Sequence, residues 1–198
     1  ITFDANTNTH NSGTWYDGLY YVGDKSFTID LGGYTYTFNK TVGSTGTTTL
    51  GLQILKDNAV IIKNGTLTST AVVEGKEVKV LIQNYADLTL DGVNLIDSTD
   101  YIQYALSNNS GAVALTGATT IETDAVAFDV YDYSSAGYAL PKVAVANSVE
   151  INGEIEAVAK SNDGVYYATL AQAVAEADDN ATVELLAKAT GAGGVIDK

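Results

Sequence analysis

Leu88-Thr89-Leu90-Asp91-Gly92 alternates apolar and polar residues and closes on glycine. The pattern returns as Ile29-Asp30-Leu31-Gly32-Gly33, Val113-Ala114-Leu115-Thr116-Gly117 and Val149-Glu150-Ile151-Asn152-Gly153. With one extra residue it is also Val60-Ile61-Ile62-Lys63-Asn64-Gly65. Alternation at period two marks a strand with one buried face, and the closing glycine supplies a turn open to positive φ. A second apolar pattern lies between these copies, in Leu52-Gln53-Ile54, Val80-Leu81-Ile82, Tyr104-Ala105-Leu106 and Phe128-Asp129-Val130. Ile54, Ile82, Leu106 and Val130 follow one another at 28, 24 and 24 residues; Gly65, Gly92 and Gly117 follow at 27 and 25.

Two strand motifs sharing one period predict the coils of a β-solenoid, in which each coil buries its apolar edge only against its neighbours. On this reading Ile29, Val60, Leu88, Val113 and Val149 stack in one internal column. Leu31, Ile62, Leu90, Leu115 and Ile151 stack in the next. Five coils at strand spacing span roughly 24 Å. An antiparallel sandwich is the rival for regularly spaced short strands, but the in-phase doubling of motifs favours the solenoid.

The composition removes many functions. Among 198 residues there are ten Lys and no Arg, against 24 acidic residues, for a net charge of −14. Nucleic acid and anionic membrane both need a basic face. With no Cys there is no disulfide, thiol nucleophile or thiolate metal site, and with no Arg no guanidinium fork. At 45% hydrophobic and 17% charged the chain is too apolar for an acidic disordered protein. No apolar run reaches the roughly 20 residues of a membrane helix. Abundant Thr, Asn, Gly and Tyr without Cys suit an extracellular or cell-surface protein, with a virion surface as the alternative.

The stretch Phe27–Tyr36, with Ala59–Thr68, resembles right-handed parallel β-helix proteins of the pectin-lyase-like superfamily. It is similar in particular to repeat-rich surface proteins of gut Firmicutes and to phage structural proteins, over about residues 20–160. The resemblance implies a right-handed parallel β-helix and hardly constrains activity.

Beyond residue 160 the pattern changes. Thr169-Leu170-Ala171-Gln172 is a capping box, and Leu170, Ala173, Val174 and Ala177 form a helical apolar stripe. The helix is expected to stop near Asp178-Asp179-Asn180, with a strand over Ala181–Leu186. Gly194–Lys198 is similar to Tyr21–Lys25, and the two lysines lie 173 residues apart. The expectation is one unit of a tandem array. The chain thus divides into an N-terminal plug or connecting segment (1–25), the β-helix (26–160) and a β-α-β segment (161–198).

Candidate chemistry is sparse. Asp97 with Asp100, Asp129 with Asp132, and Asp178 with Asp179 are the acidic pairs. A glycosidase needs two carboxyls facing each other about 5–10 Å apart. Polygalacturonase-like enzymes add a His and a cation, but the one His, His10, lies outside the coils. Solvated turns are the plainer role for these acids. Asp4–Asn8 begins like a calcium loop, yet Thr9 and Trp15 stand where an EF-hand needs Gly and Glu. Calcium between acidic coils is therefore left open as a structural ion, and no other cofactor is expected. Trp15, Tyr16, Tyr20 and Tyr21 are the candidate ligand-binding residues, because exposed aromatics stack on sugars; a plug over the open solenoid end is the alternative. Tyr133 and Tyr138 occupy the longest insertion, Asp132–Pro141, with Tyr131 directly before it, and this segment suits either a binding loop or lateral packing. Asn64, Asn84, Asn108 and Asn152 recur at expected corners, where stacked amides satisfy one another.

The expected protein is a non-catalytic extracellular structural or adhesive module. Its expected partners are other subunits, neighbouring repeats or surface glycans, with no nucleic acid and no membrane span. A carbohydrate-binding module or polysaccharide-degrading enzyme of the pectin-lyase-like type is the alternative.

Overall fold

The computed structural model describes residues 26–39, 41–43, 49–69, 72–73, 76–189 and 191. Leu, Ile and Val at alternate positions favour strands, each too narrow to form a core alone. In chain order these are β1 (Ser26–Asp30), β2 (Thr35–Phe38), β3 (Leu50–Ile54), β4 (Ala59–Ser69), β5 (Val72–Val73), β6 (Lys76–Glu77), β7 (Val80–Asn84) and β8 (Asp87–Ile96). There follow β9 (Tyr104–Asn108), β10 (Ala112–Thr116), β11 (Thr120–Val130), β12 (Lys142–Val145), β13 (Glu150–Glu156), β14 (Ala159–Ser161), β15 (Val165–Tyr167), helix α1 (Leu170–Glu176) and β16 (Val183–Leu185).

Parallel pairing wraps these strands into three-sided coils. The first face stacks β1, the start of β4, the start of β8, β10 and β12. The second stacks β2, the later parts of β4 and β8, and the starts of β11 and β13. The third stacks β3, β7, β9 and the later parts of β11 and β13. The result is the expected all-β, right-handed parallel β-helix, in about four turns rather than five. β12 completes the fourth turn and β13 adds part of another.

Side chains from the three faces meet in one dry core. Val60, Leu88, Val113 and Val143 are in register on the first face, as are Ile29, Ile62, Leu90 and Leu115, and all eight are buried. Leu67, Leu95 and Ile121 face them from the second, and Leu52, Ile82, Leu106 and Phe128 from the third.

The columns differ from the sequence alignment at both ends. Ile29 pairs with Ile62, and Phe27 pairs with Val60, so the first coil is displaced by two residues. The cause is corner length. Four residues (31–34) join β1 to β2, whereas only two, 64 and 65, separate the paired stretches of β4. Val149 and Ile151 do not extend the first-face columns either. Ile151 lies beside Ile121 on the second face, and β12 supplies Val143 and Val145 instead. On the third face Leu52 pairs with Ile82, and Leu106 with Phe128, again two residues from the expected match. Here Ile54 and Val130 align with Asn84 and Asn108, which a search for apolar matches passes over.

Corner chemistry explains those asparagines. Asn84 Nδ2 donates to Asn108 Oδ1 (2.9 Å) and to the Ala86 carbonyl (2.7 Å), while Asn108 Nδ2 donates to the carbonyls of Gly111 (3.2 Å) and Lys142 (3.0 Å). Both residues are fully buried, so these bonds satisfy turn carbonyls that water does not reach. Asn64 and Asn152 do not join this ladder. Asn64, at φ 58°, occupies the left-handed corner position filled by Gly92 (φ 63°) and Gly117 (φ 60°) in later coils. Asn tolerates that region better than other residues with a Cβ.

At the C-terminal end, β15 pairs antiparallel with β12, and β14 lies between β15 and β16. The β-α-β segment is therefore split, with β15 and β16 on either side of β14. Thr169 caps α1 by accepting from Gln172 N (3.1 Å), but the Gln172 side chain donates to Glu176 Oε1 (3.1 Å), completing only half of the expected box. Gln172 and Ala173 are the buried helix residues and Leu170 is exposed, so the buried face is rotated from the expected stripe. The helix ends with a cap at Ala177, slightly before the expected Asp178–Asn180.

Candidate functional site

The corner between the third and first faces carries the most distinctive surface. Residues 55–58, 85–86 and 109–111 make tight returns in successive coils, and the fourth coil makes the same passage through residues 131–141. That insertion folds back across the earlier corners. Ser110 Oγ donates to the Ala139 carbonyl (2.9 Å), and Tyr131 N donates to the Asn108 carbonyl (2.9 Å). Within the insertion Asp132 accepts from Ser134 N (2.8 Å) at the entry to a single 3-10 turn, Ser134–Ala136.

The contact with the earlier coils is aromatic. Tyr85, Tyr133 and Tyr138 form a triangle with centroid separations of 5.8, 5.4 and 5.3 Å, all tilted or edge-on rather than face-stacked. Asn109 Nδ2 donates to the Tyr85 hydroxyl (3.0 Å), and Lys56 Nζ lies 5.3 Å from the Tyr138 centroid. Burial pushes the Tyr85 phenol up, against the lowering effect of Asn109. Beside the triangle lies a groove of about 520 Å³, lined by Lys56, Asp57, Tyr85, Asp87, Gly111 and Tyr138 among others. Gly111 has φ 76°, and a Cβ there would collide with the Ala86 backbone carbonyl.

The outward side of the third face carries a second feature. Gln53, Gln83, Ser107, Asp129 and Glu156 follow one another in register, with Gln53 Nε2 donating to Gln83 Oε1 (2.8 Å). Asp129 and Glu156 are thus like charges on adjacent rungs, about 4.8 Å apart along the backbone stack. Burial, then repulsion from Glu156, raises the Asp129 carboxyl to about 6, and the neighbouring Ser107 hydroxyl is turned to Asn109 Oδ1 (3.1 Å). Asp129 Oδ1 is buried without a hydrogen-bond partner. Such a carboxyl retains its proton at mildly acidic pH.

Of the acidic pairs read from sequence, Asp129 and Asp132 separate, Asp97 and Asp100 line one surface trough with Asp124, and Asp178 and Asp179 stay together in one turn. Asp129 faces Glu156, while Asp132 caps the insertion turn. Asp97 accepts from Thr99 N and Thr123 Oγ1 (both 2.9 Å), which makes it a corner-forming residue. Asp178 and Asp179 lie in the exposed turn after α1. Trp15, Tyr16, Tyr20 and Tyr21 lie outside the described residues, as do His10, the Asp4–Asn8 stretch and the Gly194–Lys198 similarity. Tyr133 and Tyr138 do form a cluster, but their partner Tyr85 is 48 residues before Tyr133. The signal available was its place just after Asn84, at the same corner one coil ahead of Asn109. Among the described residues, no three His, Cys, Asp or Glu are arranged to hold a metal, and no helix is long and apolar enough to cross a membrane.

The fold defines the chain as a parallel β-solenoid with an aromatic corner groove. Comparison with protein-family models, with curated proteins and with solved structures finds no match.

Proposed function

We propose that this chain is a non-catalytic extracellular structural or adhesive module, a stiff unit of a cell surface, filament or virion that contacts other subunits, neighbouring repeats or surface glycans. The observation that supports it is the unbroken register of inward side chains from Val60 through Leu88 and Val113 to Val143. Each coil is hydrogen-bonded to the next, so the molecule resists bending and presents its corners at fixed spacing. Kinship with the pectin-lyase-like superfamily, and with surface proteins of Firmicutes or phage, belongs to the same proposal. Antibody raised against the chain is expected to label intact source cells or virions, and deletion of the coding segment is expected to weaken attachment or particle integrity. Exclusively internal labelling overturns the reading.

The Asp129–Glu156 pair favours a second reading, a carbohydrate-active protein that uses a proton-retaining carboxyl. Turnover of uronic-acid polymers by the purified chain, abolished in Glu156→Gln, would replace the first reading with this one. Heat stabilisation by calcium, localised to the coils, would point the same way.

A further inference from the structure

We propose that the corner groove binds a neutral glycan chain against Tyr85 and Tyr138, which line it. The proposal rests on the modular reading for its setting and deepens it, naming the class of surface glycan that the module takes and where.

The geometry has three parts. First, the tyrosine pairs meet at 74°, 48° and 64°, so in the two steeper pairs the edge of one ring meets the face of its neighbour and the three rings brace one another, with Lys56 Nζ over one side of Tyr138. Tyrosine offers an apolar face and a polar tip, which suits a pyranose with one C–H-rich side and hydroxyls around its rim. Second, the wall is built before any ligand arrives. Asn109 holds the Tyr85 hydroxyl, Ser110 holds the insertion at Ala139, and the buried Asn84–Asn108 pair fixes the corners beneath. A preformed site loses little side-chain entropy on binding. Third, the groove is elongated. Ser26, Ala59 and Asp87 line both it and a second trough of about 520 Å³ that crosses Thr28, Ile61, Thr89 and Ala114. Each volume falls in the range of about 300–1,000 Å³ common for small-ligand sites. Continuity of the two fits a linear oligomer better than a single sugar.

Charge selects the class. Among the described residues the corner groove offers one cation, Lys56, against the carboxylates of Asp57 and Asp87, in a chain of net charge −14. Asp87 Oδ1 accepts from Ala112 N (3.1 Å), which orients that carboxylate at the groove. Carboxylates accept hydrogen bonds from sugar hydroxyls and repel uronate or sulfate groups.

The test titrates the isotope-labelled whole chain with cellohexaose, mannohexaose, chitohexaose and hexagalacturonate, following backbone amide resonances. At least one neutral hexamer is expected to give saturable shifts at Gly111, Tyr138 and Thr89, and hexagalacturonate to bind at least tenfold more weakly. Tyr138→Ala is expected to lower the affinity for that hexamer at least tenfold. Saturable shifts confined to other surfaces, no saturation with any neutral hexamer, or preference for hexagalacturonate overturns the proposal. The wild-type resonance map decides the matter by itself should Tyr138→Ala fail to fold. A negative result leaves the modular role standing, whereas labelling confined to the cell interior removes that role and leaves the groove's binding unaffected.

Discussion

Asp129 concentrates the electrostatic strain of the molecule in one side chain. Its carboxyl titrates near 6 in the fold, against an ordinary value of 3.8, because burial and Glu156 disfavour the charge. A raised carboxyl stabilises the fold while the proton is on. That contribution is complete below about pH 4 and disappears as pH rises through 6, a swing of up to about 3 kcal/mol at 1.36 kcal/mol per unit. Asp129→Asn removes the titration and keeps the shape. The variant is therefore expected to exceed wild type in stability at pH 7 and to lose that advantage by pH 4, as read from urea unfolding at both pH values. Equal stability differences at the two pH values would contradict the account. Leu90 makes the opposite case. It is fully buried between Ile62 and Leu115, and Leu90→Ala is expected to cost about 2–5 kcal/mol through lost contact and a residual cavity. Leu90→Asp places an unpaired carboxylate there and is expected to prevent cooperative folding, seen as loss of the thermal transition.

At the scale of the element, corners rather than strands set the register. The four-residue connection after β1 and the two-residue connection within β4 displace the first coil, although the strand sequences on either side look alike. Apolar alternation places Leu88 and Leu90 correctly against Val113 and Leu115, because both strands close on a glycine at the same left-handed corner position, Gly92 and Gly117. It misplaces Val149 and Ile151, because the pattern recurs on a different face. The Asn84–Asn108 pair was legible as a corner motif, but its inward orientation was not. An amide reads as polar until the carbonyls it satisfies are brought to it from another coil. Asn84→Ala breaks the bonds to Ala86, Ser110 and Asn108 inside the core. Unfolding measurements are expected to show a loss of about 2–4 kcal/mol, given about 1–3 kcal/mol for each buried polar group left unsatisfied. A loss below 1 kcal/mol would mean that water reaches this corner.

At the scale of the whole molecule, the terminal coil bears the burden of staying separate from other chains. Among the described strands β13 pairs only with β11, and Glu150, Glu154 and Glu156 are exposed along it. Charged residues on an edge strand oppose pairing with another strand. Replacing the three with Gln is expected to promote end-to-end association, detected as concentration-dependent sedimentation of larger species. An unchanged distribution of species would show that the acids do not guard this edge. The first-face edge is treated differently: β15 covers β12 with an antiparallel strand, and Lys142 Nζ meets Glu176 Oε2 at 2.7 Å to tie α1 to the coil.

The amino-acid sequence by itself determined the parallel coil, its approximate period and the central apolar columns, because hydrophobic alternation is local and survives in any coil that buries it. The helix start at Thr169 was equally local. Only the tertiary structure decided which rungs align at the ends, that Asp129 opposes Glu156 rather than Asp132, and that Tyr85 joins Tyr133 and Tyr138. Those relations span tens of residues and depend on the length of every intervening corner, a quantity that side-chain periodicity does not carry.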